Sequence, residues 1–535
     1  MQNTAPDIEG DEQFWVPGTV YLRHPDTSSS AALHPIPTSD PDDPLNWSTR
    51  RKTLHFTLVN VYVFLTFVQL DLGGAAWQAY QDELKFTIDF LNAGTAYNYY
   101  GRRPLYIFSA TLQLVACVLF AMTRNRADFI ASNLLSGFGG AISETIAQIT
   151  IADVYFVHEH AAMNGWFLFA QTTGATLGPV ASGYVVDGQG WRWMWWWCVI
   201  LFGINLVLVV FLFEESKYTP IDLDDHHELQ ELDRPAMRDK SGHDVPTIGA
   251  VDDIEYLQPP AVSGDNVAYS PLPTDPPNIS SAPPPIARSI RPKRYRERMA
   301  IITKTNGSIW PEFYRPLIPL FKFAAIAYSA VTFGTLSICF AVIASVMSTY
   351  LFKPPYNFSA SSVGLMSLAL FATSVPALIF GGYGNDKLIM WLAKRNGGIY
   401  EPEMRLWLAL PMAIVVPGGA PWPLIAVGLG AFGFGLNVIN DAALSYAMDS
   451  YHDIIGSAMV GVVFVRNAAS IGILFGLTPW IKKMGIRDVN IIIVVLCFTI
   501  LLLPVLLLIW GKRTRAYSAA SYRLLAHQQS SYRRA

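Results

Sequence analysis

The stretch "GWFLFAQTTGATLGPVASG", residues 165–183, carries the most information about the fold. It is apolar enough for a membrane helix, yet small residues interrupt it at regular intervals. Glycine has no side chain, so it lets the backbones of neighbouring membrane helices approach closely. We therefore predict a membrane helix that packs tightly against its neighbours. Its key residues are Gly165, Gly174, Gly178, Pro179 and Gly183.

The rest of the chain supports an all-α integral membrane protein. The sequence has 535 residues, of which 52% are hydrophobic and only 15% are charged. Apolar runs of about 17–25 residues match the hydrocarbon core of a bilayer, which is about 30 Å thick. Ten such runs are predicted, near residues 54–70, 104–123, 129–151, 162–186, 193–213, 320–343, 361–381, 423–447, 454–480 and 488–510.

These runs fall into two predicted helix bundles, residues 54–213 and 320–510. The linker between them, residues 214–319, begins acidic, becomes proline-rich and ends basic. Such a composition cannot bury a core, so we expect the linker to be mostly disordered. The N-terminal tail, residues 1–53, is predicted to be disordered. The C-terminal tail, residues 511–535, is predicted to be basic. Basic residues flank the first and last runs, which predicts that both tails and the linker are cytoplasmic.

Two bundles joined by a long linker are typical of a transporter built from two repeats. A membrane enzyme is the alternative class, but the sequence has no nucleophile elbow, no P-loop and no metal-binding histidine cluster. Nothing in it matches the selectivity filter of a channel. The four cysteines each lie in an apolar run, which disfavours a disulfide or metal framework. We therefore expect no enzyme activity, no cofactor, no metal and no nucleic-acid partner.

The order of small residues in 165–183 resembles the antiporter motif of the major facilitator superfamily, with Ser182 replacing one glycine. Other segments are similar to fungal members of that superfamily, in the group that includes multidrug and polyamine exporters. The resemblance implies twelve helices in two halves, a substrate cavity between them, proton exchange, a monomer and the plasma membrane. The similar segments are "DPDDPLNWS" (40–48), "GRRPLY" (101–106), "SNLLSGFGGAISETIAQITIADVYFVHEH" (132–160), "NGGIYEPEMRLW" (396–407) and "NVINDAALSYAMDSY" (437–451).

Polar residues inside apolar runs are the candidate substrate and proton sites, because charge in a membrane is expensive and usually functional. Two interpretations remain open for them. The acids could bind a cationic substrate or the exchanged proton, or one of them could form a purely structural pair with the arginine. The candidates are Glu144, Asn437, Asn440, Asp441 and Arg466.

Loop motifs of the superfamily are also recognisable. Gly101, Arg102 and Arg103 match the loop before the third helix. The segment "GGYGNDKLI" (381–389) is similar to the loop motif after the eighth helix and contains Gly382 and Asp386. We expect Asp386 to pair with basic groups on neighbouring helices and so to latch one conformation.

Asn357 lies in the sequon "NFS" between two predicted spans, which makes it a glycosylation candidate. Asn278 and Asn306 also match the sequon, but both lie in the predicted cytoplasmic linker. We therefore expect a glycan on Asn357 and none on the other two.

Two of the twelve helices are incomplete in this sequence. Residues 77–100 hold four charges, which would cost about 10 kcal/mol in a membrane, so the second helix is predicted to be missing. Residues 406–416 give only about 16 Å of helix, so the ninth is shortened. Ten spans then remain. Loss of the second helix would invert helices three to eight and place Arg102 and Arg103 outside.

The sequence thus predicts a transporter that exports small organic or cationic molecules, drug-like or polyamine-like, by proton exchange. The proton gradient would supply the energy, since no nucleotide site is recognisable. A nutrient or metabolite importer of the same fold is the alternative hypothesis. A third hypothesis is an inactive truncated paralogue or a faulty gene model, which the missing helix favours.

Overall fold

A computed structural model of the chain describes residues 16–21, 37, 42–72, 102–216, 316–351, 357–408 and 422–534. Three predictions lie largely outside these residues: the missing second helix with Gly101, most of the linker, and most of the shortened ninth helix. Of the ninth helix, only Leu406, Trp407 and Leu408 are described, and the first two lie in a 3₁₀ turn, Pro402–Trp407.

Within residues 42–72 and 102–216, the first half has five α-helices. Asn125 begins the third by accepting a hydrogen bond from the backbone N–H of Asp128 at 2.9 Å, a typical N-cap. Gly190, at φ 87°, separates the fourth helix from the fifth, and only glycine adopts that conformation without strain. The helices are α1 (Thr49–Asp71), α2 (Arg103–Met122), α3 (Arg126–Val154), α4 (His160–Gln189) and α5 (Trp191–Leu212).

The second half is also helical. One of its spans is broken into three pieces with a π-helical turn, Leu378–Tyr383, directly after Pro376. Proline lacks the N–H that a regular helix needs, and such π turns are frequent at functional sites. The helices are α6 (Leu317–Lys322), α7 (Ala324–Tyr350), α8 (Ala360–Met366), α9 (Leu368–Ala377), α10 (Gly384–Arg395), α11 (Trp422–Ser450), α12 (Ile455–Met484), α13 (Ile486–Leu501) and α14 (Leu503–Arg534).

Every one of the ten predicted apolar runs lies in helical structure, so the helix prediction is confirmed. Within the described ranges, eight helical segments are long and apolar enough to cross a membrane by length and composition. Helices α3 and α4 have the length, but they are not among those eight. This difference fits their position, because much of their surface faces the cavity and the other half of the protein, as shown below.

Helices α1 and α2 begin at the same end of the bundle. Arg51, near the start of α1, pairs with Glu214 just after α5. The backbone N–H groups of Arg102 and Arg103 donate to the carboxylate of the next residue, Glu215, at 2.9 and 3.0 Å. We call this end of the bundle the basal end.

The other end of α1 packs elsewhere. Leu72 belongs to an apolar cluster with Phe120, near the end of α2, and with Trp191, at the start of α5. Helices α1 and α2 therefore run in the same direction. The expectation that Arg102 and Arg103 lie at the opposite end from the start of α1 is wrong. Glu214 binds the start of α1 and its neighbour Glu215 binds the start of α2, so both starts lie at one end.

Part of the predicted disordered N-terminal tail has a defined structure, so that prediction is wrong for residues 16–21 and 42–53. Strand β1 (Val20–Tyr21) pairs antiparallel with strand β2 (Ile399–Tyr400), with Val20 opposite Tyr400. The buried guanidinium of Arg515 in α14 donates a hydrogen bond to the carbonyl of Pro17. The pairing with β2 and the hydrogen bond from Arg515 satisfy backbone groups of the tail. The tail sequence by itself supplies no partners for these groups.

Candidate functional site

A cavity of about 590 Å³ lies between the two halves. Helices α1, α3 and α4 contribute one wall, and α7, α11 and α12 contribute the other. Its volume falls within the range of small-molecule binding sites, about 300–1,000 Å³. The polar residues that line it include Asp71, Glu144, Gln171, Asn440, Arg466 and Asn467.

An ion pair joins the halves across this cavity. The guanidinium of Arg466 in α12 donates to Glu144 in α3, and both side chains are largely buried, with 14% and 6% exposure. Arg466 also lies 4.9 Å from the ring centre of Phe333. Among the described residues, Oε2 of Glu144 and Nε of Arg466 have no hydrogen-bond partner. Both atoms are buried, so each member of the pair keeps one polar atom whose hydrogen-bonding capacity is unused in this conformation.

Asp71 adds a second acid at the end of α1. It is close enough to interact electrostatically with both Arg466 and Glu144. The lining therefore holds two carboxyl groups and one guanidinium, so acidic groups outnumber basic ones there. Because charges interact strongly where water is scarce, this lining favours a cationic ligand over an anionic one.

The interface between α4 and α11 is a ladder of buried polar pairs. Thr172 donates to Asn437 at 2.8 Å. Eight residues earlier on α4 and eight residues later on α11, Asn164 donates to Ser445 at 2.9 Å. At the basal end, Nδ1 of His160 lies 2.8 Å from the carboxylate of Asp449, the third pair. Each step along α4 is matched by an equal and opposite step along α11, so the two helices pack antiparallel in one register.

The glycines of the antiporter motif allow close helix packing. A methyl group on Gly174 would lie 2.4 Å from the carbonyl oxygen of Phe64 in α1, closer than atoms can approach. Gly178 lies against Val68, one turn further along α1. Two glycines of α4 thus make close contacts with α1, which belongs to the same half.

Other residues of the motif face the second half. A methyl group on Gly165 would lie 3.1 Å from the Cα atom of Gly382. The carbonyl of Pro179 faces Gly364, where an added methyl group would lie at 2.6 Å. Gly183 and Ser182 are buried in the same helix. Helix α4 is therefore the element that packs tightly against both halves.

A charged cluster lies at the basal end of the interface. The carboxylate of Asp386 in α10 accepts hydrogen bonds from the backbone N–H groups of Ala161 and Ala162, at 3.3 and 2.7 Å. These N–H groups form the start of α4, where the helix dipole favours an anion. Arg405 donates to Asp386 at 3.1 Å. One half supplies the acid and the other supplies the helix start, so this contact joins the two halves, while the basic partner Arg405 lies in the 3₁₀ turn Pro402–Trp407 of the same half as Asp386.

Arg405 is the centre of this cluster. It is completely buried, and it donates to Asp449 and, at 2.8 Å, to the carbonyl of Val157. The hydroxyl of Tyr400 donates to Asp449 at 2.6 Å. Burial by itself would lower the pKa of Arg405, but the charge of Asp449 and its other neighbours hold that pKa above its usual value. We call Asp386, Arg405, Asp449 and His160 the latch cluster.

The arginines of the other loop motif bind within the first half. Arg102 pairs with Asp153 at 3.0 Å. Arg103 donates to the carbonyl of Val210 at 2.7 Å. These contacts hold the start of α2 against α3 and α5, and they do not cross to the second half.

Comparison with known proteins agrees with this architecture. Residues 90–476 match the model of the Major Facilitator Superfamily. This chain belongs to the major facilitator superfamily. As a member, it is a multi-pass membrane protein and a transporter rather than an enzyme.

Several relatives cover most of this facilitator. An uncharacterised MFS-type transporter of Schizosaccharomyces pombe, C1271.10c, is 29% identical over 92% of this chain and 89% of its own length. Protein HOL1 of Saccharomyces cerevisiae is 27% identical over 93% and 92%. The MFS antiporter QDR3 of Candida albicans is 22% identical over 79% and 70%. The solved human organic anion transporter MFSD10 shares 14% identity over 85% and 83%, with a TM-score of 0.42.

The facilitator brings only some of its sequence-predicted site residues together. Glu144, Asn440 and Arg466 line the cavity, whereas Asn437 accepts a hydrogen bond from Thr172 of α4 and Asp441 is buried outside the cavity lining. Sequence reasoning did not single out Arg405, His160 or Asp449. All three lie inside segments that resemble the family, but a polar residue just outside an apolar run gives no local signal that it is buried.

Proposed function

We propose that this facilitator exports small organic cations in exchange for protons. The observation that supports the proposal is the cavity between the halves, in which Asp71 and Glu144 outnumber Arg466. A cation that displaces Arg466 from Glu144 would break the link between the halves, so binding would be coupled to movement. Asn440 supplies a neutral hydrogen-bonding group beside the same site.

Two relatives support the antiport direction by their names. QDR3 is described as an MFS antiporter. A Saccharomyces cerevisiae protein described as a probable drug/proton antiporter, YHK8, is 23% identical over 78% of this chain and 73% of its own length. The energy for export would come from the proton gradient.

The proposal includes a topology. The basal end, with the latch cluster, would face the cytoplasm, together with the linker 214–319 and both tails. Residues 54–213 and 320–510 would form the two moving halves of a monomer. The plasma membrane is the expected location, because export from the cell requires it.

The test uses yeast cells that lack their own organic-cation exporters and produce this chain. Tetraphenylphosphonium and spermidine serve as a bulky and a flexible cationic probe. We expect the cells to tolerate higher concentrations of at least one probe and to extrude it only while a proton gradient is present. Greater sensitivity would instead indicate the importer. No effect on either probe would contradict the proposal and favour the inactive paralogue.

The variant Glu144→Gln tests the binding site. It removes the charge while keeping the shape, so we expect export to fall about tenfold or more, because a hydrogen bond to a charged group is worth about 1.5–3 kcal/mol. Glu401→Gln is the matched control, since Glu401 pairs with Lys512 near the surface, where such pairs contribute little. Equal export by both variants would remove Glu144 from the site.

A further inference from the structure

Asp441 occupies the one step of the α4–α11 ladder that lacks a polar partner. The pairs Asn164–Ser445 and Thr172–Asn437 are separated by eight residues on each helix. Midway between them, the antiparallel register sets Leu168 opposite Asp441. An acid therefore faces an aliphatic side chain where the neighbouring steps pair two polar groups.

The carboxyl group of Asp441 is buried and almost without partners. The residue is only 1% exposed. Its Oδ1 atom has one polar contact, with the hydroxyl of Ser445 at 3.5 Å, which is the limit of a weak hydrogen bond. Its Oδ2 atom has no hydrogen-bond partner among the residues that the structure describes.

Among the residues that the structure describes, no cation is in contact with the carboxyl group of Asp441. The π-helical turn presents Gly381, where an added methyl group would lie 3.5 Å from Oδ2. Helix α7 presents Ser329, whose hydroxyl donates to the carbonyl of Ala443 instead. The charged groups that act on Asp441 from a greater distance are Asp386, Arg405 and Asp449, two acids and one base.

Physical chemistry then decides the charge state of Asp441. An ionised carboxylate without a partner costs many kcal/mol in an apolar environment, and such a group takes up a proton instead. Glu144 differs, because Arg466 compensates its charge in direct contact. In this conformation Asp441, unlike Glu144, has no cation beside it to offset a negative charge.

Asp441 also lies between the cavity and the latch cluster. Its neighbour Asn440 and the opposing Leu168 both line the cavity. Asp449 of the latch cluster follows eight residues later on α11, about 12 Å along the helix axis. The register places α4 of the other half opposite Asp441, while the π-helical turn of its own half lies against Oδ2. Separation of the halves at the basal end would remove the α4 side of this enclosure.

We propose that Asp441 is the residue that binds the exchanged proton, an inference that rests on the proposed function. Its carboxylate takes one proton from a hydronium ion on the cavity side: one O–H bond of the hydronium breaks, the O–H bond of the carboxylic acid forms, and a water molecule remains. When the halves separate at the basal end, the O–H bond of the carboxylic acid breaks and the proton passes to a water molecule there, which becomes hydronium. No atom is oxidised or reduced. Glu144 then binds the cationic substrate, and Asp441 couples its movement to the proton.

The first experiment measures the proton without any substrate. The infrared spectrum of the purified full-length protein at neutral pH should contain the carbonyl stretch of a protonated carboxylic acid. We expect Asp441→Asn to remove intensity from this band and Glu144→Gln to leave it unchanged. A band of equal intensity in wild type and Asp441→Asn would overturn the proposal, even if the protein transports cations. Failure of transport with a changed band would instead overturn only the proposed function.

The second experiment separates proton coupling from substrate binding. Vesicles containing the purified protein take up tetraphenylphosphonium or spermidine, either driven by a proton gradient or by exchange at equal pH. Asp441→Asn should lose at least 90% of the gradient-driven accumulation but retain equilibrium exchange. Glu144→Gln should lose both. Gradient-driven accumulation at the wild-type level by Asp441→Asn would overturn the proposal.

A second variant covers the case in which Asp441→Asn does not fold. Leu168→Asn keeps the acid and supplies a polar partner, like the other steps of the ladder. An amide donor stabilises the carboxylate, so the infrared band should disappear at lower pH than in wild type. An unchanged titration of the band would contradict the proposal.

Discussion

Arg405 shows how much a single residue can depend on partners far along the chain. Its guanidinium is fully buried and binds Asp386, Asp449 and the carbonyl of Val157. A buried cation without these acceptors would be strongly unfavourable. Its hydrogen-bond acceptors among the described residues lie in distant segments of the chain, apart from Tyr400, which lies five residues before it. The residue thus holds α4, α10 and α11 together at the basal end.

We expect Arg405→Met to lower the free energy of unfolding by about 3–5 kcal/mol, the usual cost of removing one partner from a buried ion pair. Thermal unfolding of the purified protein measures this change. Lys394→Met is the control, because it removes the same charge from an exposed side chain in nearby α10. Equal unfolding temperatures for both variants would show that the latch cluster contributes little to stability.

Helix α4 is the element on which the architecture depends. Its glycines touch α1 in one half and the π-helical turn in the other. Since α4 makes close contacts on both sides, a side chain added on either side would force whole helices apart. The spacing of the motif is thus explained by backbone contacts within this protein.

At this scale, Gly174→Ala should destabilise the protein by about 1–3 kcal/mol, the usual cost of overpacking. The matched control is Gly203→Ala in α5, where an added methyl group meets nothing within 4 Å. Both changes bring the same gain in helix propensity, so the difference isolates packing. The two variants are extracted into detergent and heated, and the fraction of protein that stays folded at each temperature measures the difference in stability. A less stable Gly203→Ala would contradict this account of the motif.

At the scale of the whole molecule, the two ends of the bundle differ. Phe323, just before α7, packs against Tyr451 after α11, and Tyr451 lies beside the latch cluster residue Asp449. Helix α7 therefore leads away from the basal end, and the exposed Asn357 follows it at the opposite end. If the basal end is cytoplasmic, Asn357 faces the side on which glycans are added.

We expect wild-type protein from a eukaryotic host to lose mass on treatment with an endoglycosidase. Asn357→Gln should abolish that shift. Asn306→Gln, which removes a sequon in the linker, should leave the shift unchanged. A glycan on Asn306 or Asn278 would reverse the proposed orientation. Electrophoresis of the treated and untreated variants is sufficient for this measurement.

The sequence by itself determined the helices and the family. A membrane helix needs a continuous apolar run, which is a local property, so all ten runs were recognisable without any contact. The glycine spacing was equally readable, because it repeats along one helix. The acids in apolar runs could be identified as candidates, but their partners could not.

The tertiary structure alone decided which of these residues meet. Glu144 and Arg466 are separated by 322 positions in the chain, and no local pattern pairs them. The same holds for the burial of Arg405, for the strand formed by Val20 and Tyr21, and for the direction of α2. Asp441 differs from Glu144 only in what surrounds it. Packing between distant segments sets the charge, burial and partner of a side chain, and a sequence read residue by residue does not contain that information in local form.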